Sequence, residues 1–238
     1  MTYVPSPREL GRLARLALDN ASALLADARI LLASDRAPRA LALAILAAEE
    51  FGKHMMCVSA TILDPGNAEA WRKFWRRFRD HEPKLTNWTG QLADIVSWDD
   101  AEGRHDEGLW EELWGSVSES VAQGLKWKMA ALYVDFRDGR ASSPQDVVSD
   151  EEARQAVDAV ALVVDSAERL WTGADLETQL EGHAPELCEL MAKLDKARTQ
   201  RNSAGGSEAI HGFLSRHTPP GARLDEFVQR YRPPEAQS

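Results

Sequence analysis

The stretch Leu41 to Leu63, LALAILAAEEFGKHMMCVSATIL, constrains the fold of this 238-residue chain more than any other. It is apolar almost throughout and holds no turn-forming cluster, so it reads as a buried helix opening near Ala37-Pro38. Ala40, Ala42, Ala44, Ala47 and Ala48 are small enough for a neighbouring helix to approach closely. In its middle, however, stand Glu49, Glu50, Lys53 and His54. Within one helix, Glu49–Lys53 and Glu50–His54 are both i, i+4 pairs in the favourable order, which on a wet surface would be worth a few tenths of a kcal/mol. Adjacent helical residues point about 100° apart, and Leu43, Leu46, Phe51 and Met55 leave no wide polar face. At least one of the two glutamates must therefore lie against the core, where a carboxylate needs a partner.

The rest of the chain repeats the helical pattern. Ser6-Pro7-Arg8-Glu9 is a capping box with proline at the first helical position. It opens a helix whose apolar stripe is Leu10, Leu13, Ala14, Ala17, Leu18, Ala21, Leu24, Leu25, Ala28, Leu31 and Leu32, ending near Ser34-Asp35. Asp64-Pro65-Gly66-Asn67 is a turn whose asparagine can cap a third, basic helix, AEAWRKFWRRFRD. Pro83 is tolerated only in a first helical turn, so a break is expected between Asp80 and Glu82, with a fourth helix running to about Val96. SWDDAEGRHDEG is expected to be a polar loop, Leu109 to about Val134 a long helix, and DFRDGRASSPQDVVS a second loop. A capping box at Ser149–Glu152 opens a helix to about Trp171. A further helix is expected from Pro185 to Thr199, then a hinge, NSAGGS, and a proline-rich tail. No segment alternates as a half-buried strand does. The expected fold is all-α, a bundle of about six to eight helices over residues 1–175, with a small helical extension and tail over 176–238.

Apolar residues make up 44 % of the chain, enough for a sizeable core, and no apolar run free of charge reaches the length of a membrane span. The start, MTYVPSPRELGRL, has no basic stretch followed by an apolar one, so no signal peptide is expected. Cys57 and Cys188 lie far apart among apolar neighbours and read as reduced thiols of a cytoplasmic protein. They lack metal-ligand spacing, and there is no His-Glu-x-x-His or paired Glu-x-x-His, so neither metal nor cofactor is expected. P-loops, dinucleotide fingerprints and nucleophilic triads are also missing. A net charge of −10 argues against general coating of nucleic acid but leaves room for a local basic site.

Such a site exists in AWRKFWRRFRDHEPKL. Arg72, Lys73, Arg76, Arg77, Arg79 and Lys84 crowd thirteen residues, while Trp71, Phe74, Trp75 and Phe78 share one helical face that must pack inward. The cations are a candidate phosphate-binding patch. The segment also contains Arg76 and His81 in an Arg-x4-His arrangement. A histidine and an arginine suffice for RNA cleavage by transfer to the 2′-hydroxyl: the imidazole moves the proton, and the guanidinium faces the developing phosphorane charge. A third piece, Lys126-Trp127-Lys128-Met129-Ala130-Ala131-Leu132-Tyr133-Val134-Asp135-Phe136, ends a helix with a phenol and a carboxylate at its mouth.

Taken in order, AILAAEEFGK, RDHEPKL and LKWKMAALYVDF followed by a capped helix resemble the AbiV-type abortive-infection proteins, a branch of the HEPN superfamily, over roughly residues 7 to 170. The resemblance implies a helical bundle, often dimeric, used in bacterial defence against phage. Its relatives are commonly metal-independent ribonucleases with an Arg-x4–6-His motif facing its copy across a dimer interface. Carried onto this chain, it implies that Arg76 holds the scissile phosphate and His81 is the general base or acid. Glu49, Glu50, Lys53 and Lys84, with Tyr133 as a weaker candidate, would form the supporting polar network, and a glutamate within reach of His81 would fix its tautomer. Arg72, Lys73, Arg77 and Arg79 would bind RNA, and a phage or host protein would be the activator. Arg77 stands where the superfamily usually has Asn, Asp or His. The competing expectation is a non-catalytic helical module that docks a phage or host protein. A weaker third, a ligand-binding regulator, would need a sizeable apolar pocket.

Overall fold

A computed structural model describes residues 2–182, apart from 62, 97, 100–103, 106, 138, 172–175 and 179. Helices dominate. In chain order they are α1 (Pro7–Ala33), α2 (Ala37–Ala60), α3 (Ala68–Arg79), α4 (His81–Val96), α5 (Glu107–Leu132), α6 (Pro144–Val147) and α7 (Asp150–Trp171). The two segments expected to be loops each hold a small antiparallel ribbon. β1 (Trp98–Asp99) pairs with β2 (Arg104–His105), and β3 (Asp135–Arg137) pairs with β4 (Arg140–Ser142) around Gly139 at φ 76°. Strands of two or three residues carry no readable alternation, and for that reason they went unforeseen.

Local signals set the helix ends. The Ser6 hydroxyl accepts from the Glu9 N–H while the Glu9 carboxylate accepts from the Ser6 N–H, and Ser149 and Glu152 do the same ahead of α7. Asn67 Oδ1 accepts from the Ala70 N–H and caps α3. α2 stops three residues earlier than expected, at Ala60, because the hydroxyl of Thr61 donates to the Val58 carbonyl there. The break before Pro83 narrows to Asp80 alone, whose extended backbone (ψ 147°) separates α3 from α4 and leaves Pro83 in the first turn of α4.

α2 is the central helix, packed against α1, α4, α5 and α7. Its small residues allow this: Ala40, Ala44, Ala47 and Ala48 are buried to within a per cent. The tightest approach is at Gly52, where a Cβ would stand 2.0 Å from the Lys84 carbonyl oxygen of α4. One apolar cluster joins Leu18, Leu25, Leu41, Phe51, Leu85, Val121, Val157 and Val164; a second joins Leu10, Met56, Trp71, Phe74, Leu176 and Leu180. Through Leu176 and Leu180, the start of the expected extension packs on the bundle. The expected helix at 185–199, the hinge, the tail and Cys188 lie outside the described residues. Cys57 is buried, and burial pushes its thiol up to about 12. No helix among the described residues is long and apolar enough to cross a membrane.

His54 does not pair with Glu50. It turns into the core, where Nδ1–H donates to the Ala14 carbonyl of α1 at 3.1 Å and the ring lies 5.6 Å from that of Phe51. Burial drives its pKa down from 6.5 to about 4, with Arg15 acting in the same direction and the Ala14 carbonyl and Glu168 opposing. The folded state therefore keeps this ring neutral at pH values where the unfolded chain binds a proton. Its contribution, on the order of 3 kcal/mol, is present above pH 6.5 and is lost progressively as pH falls from 6.5 towards 4. Unfolding midpoints measured across that window should fall for the wild type and run flatter for His54→Leu; parallel curves would refute the assignment.

Candidate active site

Where α2, α4 and α5 meet, one carboxylate gathers three partners. The Glu49 side chain on α2 is 4 % exposed. Its Oε1 accepts from Lys128 Nζ of α5 at 2.5 Å, its Oε2 accepts from His81 Nδ1 of α4 at 2.6 Å, and Lys84 Nζ lies 3.5 Å from Oε2. Lys84 and Lys128 are themselves 5 % and 10 % exposed at the side chain, whereas His81 is 57 % exposed. Burial opposes ionisation of Glu49, but hydrogen bonds and charge from Lys128 and His81 outweigh it, and its pKa is lowered.

The contacts fix the histidine tautomer. Lys128 Nζ is also 3.2 Å from His81 Nδ1, but an ammonium can only donate. The 2.6 Å contact to a carboxylate oxygen requires a proton on Nδ1, so the ammonium is a close neighbour of Nδ1 rather than its donor. In the neutral ring the lone pair is then on Nε2, which has no protein hydrogen bond among the described residues, on a side chain that is more than half exposed. A neutral imidazole held at Nδ1 by a buried carboxylate and open at Nε2 is equipped to take a proton from a substrate.

The expected network is thus only partly assembled. Glu49, His81 and Lys84 come together, because Gly52 lets α2 sit on the backbone of Lys84 and because residues three apart share a face of α4. Glu49 does not pair with Lys53. Glu50 and Lys53, each about four-fifths buried, pair with each other at 2.5 Å, and Lys53 Nζ stands 5.8 Å from the ring centre of Phe78 on α3. This ties α2 to the basic helix but leaves the pair outside the carboxylate cluster. Tyr133 follows α5, is 58 % exposed and makes no hydrogen bond to the cluster among the described residues. Lys128 is the residue that sequence reasoning passed over. A lysine on the inner face of a helix between Val121 and Ala131 was its only signal.

Arg76 lies in the last turn of α3, with its side chain exposed. Among the described residues it makes no ion pair and no side-chain hydrogen bond, and the same holds for Arg72, Lys73, Arg77 and Arg79. The aromatic side of α3 is committed inward: Trp71 and Phe74 are buried, Trp75 and Phe78 half-buried, in edge-on and tilted ring contacts. The helix therefore offers cations but no ring face to a ligand. Among the described residues, no group of His, Cys, Asp and Glu is placed to hold a metal ion.

An all-α bundle with a basic helix leading into a carboxylate-held histidine defines the class of protein. A sequence profile described as AbiV, of the HEPN type, matches residues 9–165. The chain belongs to the AbiV-type HEPN family, whose members are abortive-infection proteins directed against phage. No curated protein and no solved structure matches it.

Proposed function

We propose that this protein is a ribonuclease of phage defence that cleaves RNA without a metal ion and acts in the cytoplasm as a homodimer. The observation that carries the reading is the exposed His81 ring with Nδ1 tied to buried Glu49, just beyond a helix carrying five cations without partners among the described residues. His81 Nε2 takes the proton of a ribose 2′-hydroxyl. The O2′–phosphorus bond forms, the bond from phosphorus to the 5′-oxygen breaks, and the leaving oxygen takes a proton from a second imidazole, that of the other copy. The products are a 2′,3′-cyclic phosphate and a 5′-hydroxyl. Arg76 supplies positive charge to the scissile phosphate, and Arg72, Lys73, Arg77 and Arg79 hold the flanking backbone. A phage or host protein would release the activity on infection.

The test is RNA cleavage by purified protein in chelator, wild type beside His81→Ala. His81 is exposed, and Glu49 keeps Lys84 and Lys128 without it, so the variant should fold normally. Cleavage should fall by about 10²–10⁴-fold, the usual share of a general base. Equal rates would sink the ribonuclease reading. One observation favours the non-catalytic alternative: Arg76 is bonded to nothing in the cluster. A docking module of that kind would leave RNA intact in both proteins, with or without infected lysate.

A further inference from the structure

The cluster at His81 does not balance its charges. Glu49 contributes one negative charge, and it faces two ammonium groups, Lys84 and Lys128. The neighbouring glutamate, Glu50, is taken by Lys53, while Asp80 and Glu82 are exposed on either side of His81. Among the described residues no other carboxylate lies within ion-pair distance of either ammonium. With a neutral His81 the cluster therefore holds a surplus of one positive charge.

The two lysines are not equivalent. Lys128 makes the short hydrogen bond to Glu49, at 2.5 Å; Lys84 reaches the same carboxylate only at 3.5 Å and makes no side-chain hydrogen bond among the described residues. An ammonium has three donors, and on this side chain, 95 % buried, none of them makes a hydrogen bond among the described residues beyond the 3.5 Å ion pair with Glu49, which leaves donors for an acceptor from outside the chain. Its place adds to this. Lys84 lies one turn beyond His81, in the first turn of α4, where unpaired N–H groups and the helix dipole also favour an anion.

We infer that Lys84 and the first turn of α4 form, beside His81, a subsite for one phosphate group, so that Lys84 serves the phosphate in addition to Arg76. The inference rests on the ribonuclease reading for its use, but not for its test. Lys84 is then a binding residue whose surplus charge is balanced only when phosphate is present. Removing it should leave the apo protein, with Glu49 and Lys128 matched one to one, no less stable than the wild type.

The experiment follows unfolding midpoints and binding of the full chain, wild type beside Lys84→Met and Lys84→Gln, in chloride buffer of fixed ionic strength. Two probes are added separately: inorganic phosphate, and a 2′-O-methyl oligoribonucleotide that cannot be cut by 2′-hydroxyl transfer. Phosphate should raise the midpoint of the wild type, and either lysine variant should weaken binding by about ten- to a hundredfold, the worth of a charged hydrogen bond. Loss of the inorganic-phosphate response alone assigns the subsite to a free or terminal phosphate, and loss of both responses to a backbone diester. Two results overturn the inference: both responses surviving in the variants, or a wild type that responds to neither probe. A large drop in the midpoint of both variants in chloride also overturns it, since Lys84 would then be only a structural partner of Glu49. Cleavage lost in His81→Ala but retained in Lys84→Met defeats this inference and leaves the ribonuclease reading standing. Phosphate binding without cleavage does the reverse.

Discussion

Gly52→Ala should lower the unfolding midpoint by roughly 4–8 °C and disable the site, although the substitution improves helix propensity. The added methyl would stand 2.0, 2.6 and 2.8 Å from the carbonyl oxygen, carbonyl carbon and Cα of Lys84. These are backbone atoms inside α4, so no side-chain rotation relieves the clash; α2 and α4 must separate. Overpacking of this kind costs about 3 kcal/mol or more, against about 1 kcal/mol gained by replacing glycine with alanine in a helix. At roughly 2–4 °C per kcal/mol for a chain of this size, the clash dominates. Gly115→Ala is the control. Gly115 is also helical, in α5, with nothing within 4 Å of the position a Cβ would take, so there the propensity term acts alone and the midpoint should rise slightly. Calorimetry on the pair checks both signs. A Gly52→Ala protein as stable as the wild type would mean that α2 and α4 are not held this closely. Separation would also carry His81 and Lys84 away from Glu49, so activity should fall further than the folded fraction does.

This glycine also shows what was legible in the sequence. The stripe in α1, the capping boxes at Ser6 and Ser149, and the constraint of Pro83 each depend on residues within one turn of one another, and each gave an element close to its observed bounds. The need for a buried partner at Glu49 or Glu50 was equally readable, because the apolar residues around them leave no wide wet face. The partners were not. Helical spacing proposes Lys53 for Glu49, whereas the hydrogen-bonding residues are His81, 32 positions along, and Lys128, 79 positions along. Only packing of α2 against α4 and α5 brings them within 3 Å, and Gly52 permits half of that packing without any signature except its lack of a side chain. His54 misled for the same reason. Its spacing from Glu50 fits an ion pair, but the ring is fully buried beside Phe51, and a hydrogen bond to the Ala14 carbonyl serves it there at less cost than a charge would. In the basic helix the division of labour was visible, aromatics inward and cations outward. What could not be read was that the cations would find no acid among the described residues, since that depends on where every other helix lies.

Glu49→Ala should be the most damaging single change in the cluster, and a second substitution should undo much of the damage. Removing the carboxylate leaves Lys128 and Lys84 buried without a counter-charge, a loss of about 3–5 kcal/mol when one side of a buried pair is deleted. Replacing both sides is a different matter. Glu49→Gln leaves one acceptor oxygen for two donors, so that variant is destabilised as well, but Glu49→Gln with Lys128→Met gives that oxygen to His81 and removes the more closely held of the two stranded ammoniums. The double variant should therefore be more stable than Glu49→Gln alone, and a double-mutant cycle measures the coupling directly. Additive losses would mean that Lys128 and Glu49 do not meet. Acid gives an independent reading of the same carboxylate. Its pKa is lowered in the folded state, so its contribution is present above the ordinary value of 4.5 and is lost as pH falls below it. That window lies below most of the one in which His54 acts, between 6.5 and 4. Unfolding curves of the wild type should bend twice on acidification, first from His54 and then from Glu49, and Glu49→Gln should erase the second bend while keeping the first. Such a protein should retain the exposed His81 ring but hold its tautomer less firmly, so its RNA cleavage should fall even at pH 7, where it is still folded. If cleavage survived at full rate in a folded Glu49→Gln, the carboxylate would be a brace for the bundle and no part of the reaction.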